Sequence, residues 1–191
     1  MGLNQTSNAD KNDASRQADF FIICQKCKTS CCNGARPPIT LKRKAIIENY
    51  LKKNGVGAKN NFETNVYTFP KETSDNYCVF FEINTLKCRI HPVKPESCVA
   101  GPITFDINMK TGKIEWFLKM EKICRLADAL FKNEEALRDH LISAKRELLQ
   151  LVQDLDAKPL KAILKIDELD TFKIGEDSLS LEILSKLENT V

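Results

Sequence analysis

The chain has 191 residues, 42% of them hydrophobic, which is enough for one main domain with an appendage and too few for two large ones. No apolar run approaches the ~18 residues of a membrane span, and the opening MGLNQTSNADKNDASRQAD lacks the basic-then-apolar layout of a secretory signal, so a cytoplasmic protein with reduced thiols and no membrane partner is expected. The net charge of +3 is unevenly placed: between positions 24 and 53 eight Lys or Arg stand against one acid, Glu48, whereas from position 167 onward seven acids face Lys173 and Lys186.

Residues 1–18, polar and almost free of apolar side chains, read as a disordered tail. From Phe20 the positions Phe20, Ile23, Cys24, Cys27 and Cys31 follow helical spacing. Arg36, Pro37 and Pro38 break that element. Thr40 is placed to N-cap a helix over 41–53 with Ile47, Tyr50 and Leu51 as its apolar face, ended by Gly55. Residues 54–65 read as a polar loop, VYTF as a short strand, and CVFFEI with LKCRI as a hairpin turning at Asn84 and Thr85. A second hairpin is clearer. Ile103, Phe105, Ile107 and Met109, then Ile114, Trp116 and Leu118, alternate with polar residues around a turn containing Gly112. Asn133 before Glu134 and Glu135 starts a long amphipathic helix whose face runs through Leu137, Leu141, Ala144, Leu148, Val152 and Leu155, and a shorter helix is expected over 178–187. The fold class expected is α+β. A small, irregular cysteine-rich metal-binding domain over 19–126, with two β-hairpins and short helices, precedes a helical C-terminal part over 127–191.

The eight cysteines carry the chemistry: Cys24, Cys27, Cys31 and Cys32 in C-x2-C-x3-C-C, Cys78, Cys88 and Cys98 at ten-residue steps, and Cys124. Disulfides, a redox pair and metal ligation compete for them. A reducing compartment lowers the first, and the absence of a long parallel βαβ pattern around Cys24 and Cys27 lowers the second. Ligation is favoured for the first cluster and all eight are candidate ligands, with ligation and simple packing evenly matched for Cys124. On a helix at ~100° per residue, Cys24, Cys27 and Cys31 point within about 60° of one another and Cys32 about 80° off the first, towards a second ion or a further ligand place. Cys78 and Cys88 sit one on each strand of a hairpin, and Pro92 and Pro95 direct the chain to Cys98. The surrounding basic residues would offset thiolate charge and lower thiol pKa values. His91, between two cysteines, is a further ligand candidate, whereas His140 reads as a surface residue of the long helix.

CQKCKTSCC followed by CVFFEINTLKCRIHPVKPESC resembles the YkgJ-like cysteine-cluster family, the zinc- or iron-chelating CxxCxxCC domain, with Cys78, Phe80, Cys88, Ile90, Pro95 and Cys98 at matching places. The second gap, between Cys27 and Cys31, is one residue longer than in that pattern, His91 stands where a Tyr is usual, and Lys94 replaces an Arg. The resemblance implies zinc or an iron–sulfur cluster and leans to the latter. Through its likeness to flagellin lysine N-methylases it also implies S-adenosylmethionine and a protein substrate as partners. No dinucleotide-type glycine motif is present: Gly55-Val56-Gly57 follows a helix, and Asn60 occupies the third glycine position. No H-E-x-x-H or nucleophile–base arrangement is visible, so catalytic residues are not assigned. A nucleic-acid-binding module ranks last, because aromatics do not interleave with the basic residues and the acidic tail would repel phosphates.

Overall fold

A computed structural model describes residues 22–24, 26–27, 31–57, 60–164 and 170–188. The N-terminal tail expected over 1–18 and the first position of the Phe20 helical pattern lie outside the described residues.

The architecture is α+β, with small antiparallel sheets and helices around two hydrophobic clusters. The first cluster is built on α1 (Leu41–Lys53), which begins where the sequence places it: the Thr40 hydroxyl accepts from the Arg43 N–H at 3.0 Å. Its end is marked by Gly55 at φ +67°, a left-handed turn that favours glycine. Ile47 and Leu51 of α1 are fully buried with Ile39, Cys78, Phe80 and Ile90. Two short ribbons cover this cluster, β1 (Phe62–Thr64) with β2 (Thr68–Pro70), and β3 (Phe81–Glu82) with β4 (Lys87–Cys88). The strand β1 falls inside the stretch expected to be loop. With Phe62 as its one apolar side chain it carries no alternation, and its pairing with β2 forms it.

A single 3-10 turn (His91–Val93) leads to α2 (Glu96–Ala100), which packs along α4. The second cluster surrounds a three-stranded sheet of β5 (Ile103–Asn108), β6 (Lys113–Lys119) and β7 (Thr171–Ser178). Ile103 pairs with Leu118, Phe105 with Trp116 and Ile107 with Ile114, so the alternating apolar residues share one face. Against that face lie α3 (Arg125–Phe131), α4 (Glu134–Asp154), α5 (Ala157–Ile163) and α6 (Leu181–Glu188). Asn133 caps α4 through its side-chain oxygen, which accepts from Ala136 N–H at 3.0 Å. The strand β7 is an addition to the expected helical C-terminal part: only Phe172 and Ile174 mark its apolar side, and its partner β6 lies more than fifty residues earlier. The Trp116 ring is completely buried, and its Nε1–H donates to Asp177 of β7 at 2.6 Å.

Polar contacts tie α1 to the long helix. Lys42 pairs with Asp154 at 3.0 Å, and Arg43 pairs with Glu147 while its Nε stands 3.8 Å from Glu96 of α2.

Candidate metal centre

The first cysteines are split between two local structures. Cys24 lies in a helical stretch described at residues 22–24, and the Cys27 N–H closes on the Cys24 carbonyl at 3.1 Å. Cys31 and Cys32 lie in a separate turn, so the single helical face expected for Cys24, Cys27 and Cys31 is not formed. The reason is a competing backbone partner: Asn33 bridges Tyr77, the Gly34 N–H donates to Asn76 at 2.7 Å, and the Cys78 N–H donates to the Cys32 carbonyl at 2.8 Å. That antiparallel register pins Cys32 beside Cys78. The β3–β4 ribbon then adds Cys88, opposite Phe81, whose N–H donates to the Cys78 carbonyl at 2.8 Å. Cys32, Cys78 and Cys88 all pack in the first hydrophobic cluster. Cys98 is the central residue of α2, and Cys124 immediately precedes α3 and packs against the second cluster.

None of the eight cysteines is in a disulfide. Their mutual electrostatics shows which of them share a neighbourhood. Cys24 lies in the field of Cys31, Cys124 and Cys27, and Cys124 in that of Cys31 and Cys27. Cys32 and Cys98 each feel Cys31, Cys78 and Cys88. Cys31 belongs to both sets. Among the described residues no three Cys, His, Asp or Glu side chains stand in coordinating geometry around one point.

The thiols are not equivalent. Burial, reinforced by the negative charge of Cys31, pushes Cys24 up to about 11, although the residue still reaches solvent. Burial likewise pushes Cys78 up to about 11 and raises Cys88, Cys98 and Cys124. Cys31 goes the other way, down to about 6, because its sulfur accepts a hydrogen bond from Cys32, with Lys94 and Lys119 helping against burial. The same bond raises Cys32, which holds its proton to donate it.

Lys94 is the cation whose field reaches most of these thiols. It lowers the pKa values of Cys24, Cys31, Cys88 and Cys98, and its charge also disfavours protonation of His91 and His140. In the sequence Lys94 is visible only as a departure from the arginine of the family pattern. Its place among the thiols follows from the 3-10 turn that ends just before it. His91 is exposed and lies within that field.

His140 corrects an expectation. It is half-buried and engaged rather than a freely exposed residue: its Nε2 lies 3.1 Å from the Ala100 carbonyl oxygen and 3.2 Å from that of Gly101, and burial lowers its pKa. Arg138 and Asp139 beside it are exposed, but His140 falls four residues from both Ala136 and Ala144, on the buried side of α4.

A family model described as "CxxCxxCC: Putative zinc- or iron-chelating domain" matches residues 23–125, more than half of the chain. The chain belongs to the CxxCxxCC family. No curated protein and no solved structure matches it. The match begins before the first CxxCxxCC cysteine and ends one residue past Cys124, so all eight thiols fall inside it. The donor set fits the group that the family implies. Soft thiolates without competing carboxylates, gathered beside a lysine, suit zinc or iron rather than calcium or magnesium. The protein is a metal-binding protein of this CxxCxxCC type. No helix among the described residues is long and apolar enough to cross a membrane.

Proposed function

We propose that the cysteines hold metal in two adjoining sets, Cys24, Cys27, Cys31 and Cys124 in one and Cys32, Cys78, Cys88 and Cys98 in the other. The observation that carries this reading is the backbone register that sets Cys32 beside Cys78 with Cys88 on the adjoining ribbon, while Cys24 and Cys27 share a turn; the fields that the thiols exert on one another agree with it, and Cys31 lies in reach of both sets. Four thiolates complete the shell of one zinc or one cubane iron–sulfur cluster, so eight exceed the need of a single centre. The iron–sulfur form is favoured by the resemblance to flagellin lysine N-methylases, and zinc is the second form the same donors accept.

The residues' own part is to supply thiolates and to offset their charge. A dication with four thiolates carries a formal charge of −2, which Lys94 and Lys119 partly offset. Cys31 is the thiol most ready to lose its proton, and deprotonation of the buried members is coupled to metal uptake. The thiolates converge as the metal binds, so binding free energy adds to folding free energy. Zinc or iron–sulfur identity is tested by anaerobic purification with metal and sulfide analysis and a visible spectrum. Iron with inorganic sulfide is expected; zinc in a colourless protein would replace the cluster with a structural ion, and protein free of both would overturn the reading.

A second reading is S-adenosylmethionine-dependent methyl transfer to a protein lysine. It has the family resemblance, and an open depression of about 350 Å³ bordered by β6, β7 and α3, with Met120, Phe131 and Phe172 as apolar walls and Glu121 and Asp128 among its polar ones, offers it a place. That volume lies within the range of about 300–1,000 Å³ typical of small-molecule sites. No observation on the described residues supports a protein substrate. A rise in melting temperature with saturating S-adenosylmethionine, lost on Phe131→Glu, would favour this reading; no shift would remove it.

A further inference from the structure

The helix that carries Cys98 is only five residues long, α2 (Glu96–Ala100), too short to hold its shape by its own hydrogen bonds. It is held at both ends by side chains from elsewhere. At the first end Glu96, 1% exposed, accepts a hydrogen bond from the Thr40 hydroxyl at 2.7 Å and lies 3.8 Å from Arg43 Nε. Arg43 in turn pairs with Glu147 of α4. At the last end His140 of α4 reaches the carbonyl oxygens of Ala100 and Gly101 at 3.1 and 3.2 Å. Both partners are acceptors, so Nε2 carries the proton, and one N–H is shared between carbonyls that the end of a helix leaves without intrahelical donors.

His140 and Glu147 are seven residues apart on α4, two turns along the same face and about 10.5 Å in rise, which brackets the roughly 7.5 Å length of a five-residue helix. The long helix is thus a template that fixes both ends of α2, with Cys98 between them. Nothing in the cysteine spacing requires such a template.

The geometry points to His140, and to Thr40 with Arg43 and Glu96 at the opposite end, as positioning residues that aim the Cys98 sulfur at its metal. This rests on the metal-binding reading above. Groups that orient a ligand without touching the metal typically change metal affinity by about 10- to 100-fold when removed. The clamp explains why a polar histidine lies between alanines on the buried side of α4 and why a carboxylate opens a buried helix.

The test uses the full chain and Co(II) as the probe, followed through its thiolate charge-transfer absorption and by competition with a chelator. In parallel, alkylation of Cys98 in metal-free protein is timed by peptide mass spectrometry, with Cys78 as the internal control. His140→Leu is expected to weaken Co(II) binding by about tenfold or more, to alter the charge-transfer band, and to speed Cys98 alkylation by about tenfold with Cys78 unchanged. His140→Gln, whose amide N–H can reach the same carbonyls, restores all three, and Thr40→Val loosens Cys98 from the other end. Wild-type Cys98 alkylation in folded His140→Leu and Thr40→Val proteins overturns the clamp, as does failure of His140→Gln to restore it. Should His140→Leu not fold, Thr40→Val decides alone. If wild-type protein takes up no Co(II), the metal reading falls, and the alkylation rates still judge the clamp.

Discussion

Replacing Arg43 by Met tests the polar seam that joins the cysteine half of the molecule to the sheet half. Arg43 serves two carboxylates from different elements, Glu147 on α4 and Glu96 on α2, and the three side chains are 17%, 15% and 2% exposed. Met keeps the stem's packing and deletes the charge. Glu96 then keeps the Thr40 hydroxyl and nearby backbone N–H groups but loses its only cationic neighbour among those that act on it, and its Oε2 already lacks a hydrogen-bond partner. Removing one member of a fully buried pair costs about 3–5 kcal/mol; the residual exposure of Arg43 and Glu147 screens their contact and lowers the expected loss to about 2–4 kcal/mol. For a chain of this size that corresponds to a fall in Tm of about 5–15 °C. Urea unfolding followed by the fluorescence of the single tryptophan, Trp116, reads the sheet half, and far-ultraviolet circular dichroism reads both halves. In a double-mutant cycle, Arg43→Met and Glu147→Met should couple by more than about 1 kcal/mol. Loss below about 1 kcal/mol for Arg43→Met, with additive double-mutant behaviour, would refute the seam as a source of stability.

The acid limb of stability should carry the signature of β7. Lys113 and then Lys173 hold Glu176 at about 2, and Lys145 with the Trp116 N–H lowers Asp177, so both carboxylates favour the folded state when ionised. Their contribution is present above about 4.5, the ordinary value of Glu176, and is lost as pH falls toward about 2; Lys113→Met should flatten that part of a stability–pH profile, and an unchanged profile would count against the pairing. Added salt should weaken the same contribution, because Lys113 and Glu176 are solvent-facing. At the cysteine centre, Lys94→Met removes the charge that lowers four thiols, and release of metal to a competing chelator should become about tenfold easier, with Lys94→Arg close to wild type; equal release from all three proteins would show that Lys94 has no such role.

Local signals were the legible ones. The Thr40 cap, the Gly55 stop, the alternation of Ile103 to Leu118 and the apolar face of α4 each reside in a few neighbouring residues, and each element forms where those residues lie. Features fixed by distant partners were not legible. The strand β7 exists because β6 offers an edge and Asp177 reaches the Trp116 indole, while its own sequence has two apolar residues among charged ones. Cys31 has helical spacing from Cys24, yet Cys31 and Cys32 lie in a turn, beside the pairing of Asn33 with Tyr77 and of the Cys32 carbonyl with the Cys78 N–H. Membership of the CxxCxxCC family was readable from the number and spacing of the cysteines. The charge of Lys94 acting on Cys31, Cys98 and His140 depends on folding and has no local signal in the sequence. His140 had left a trace: its four-residue spacing from Ala136 and Ala144 marks the buried row, which the exposed Arg138 and Asp139 beside it obscure.

The central claim, that these cysteines serve as metal ligands, is tested most directly by counting reactive thiols in native protein purified anaerobically, before and after a chelator, with metal released in the same sample. If the thiols hold metal in two sets, the native protein reacts slowly at nearly all of its eight cysteines, and the chelator exposes them as metal appears in solution. Eight thiols that react at the same rates with and without chelator, in protein that releases no metal, would contradict it.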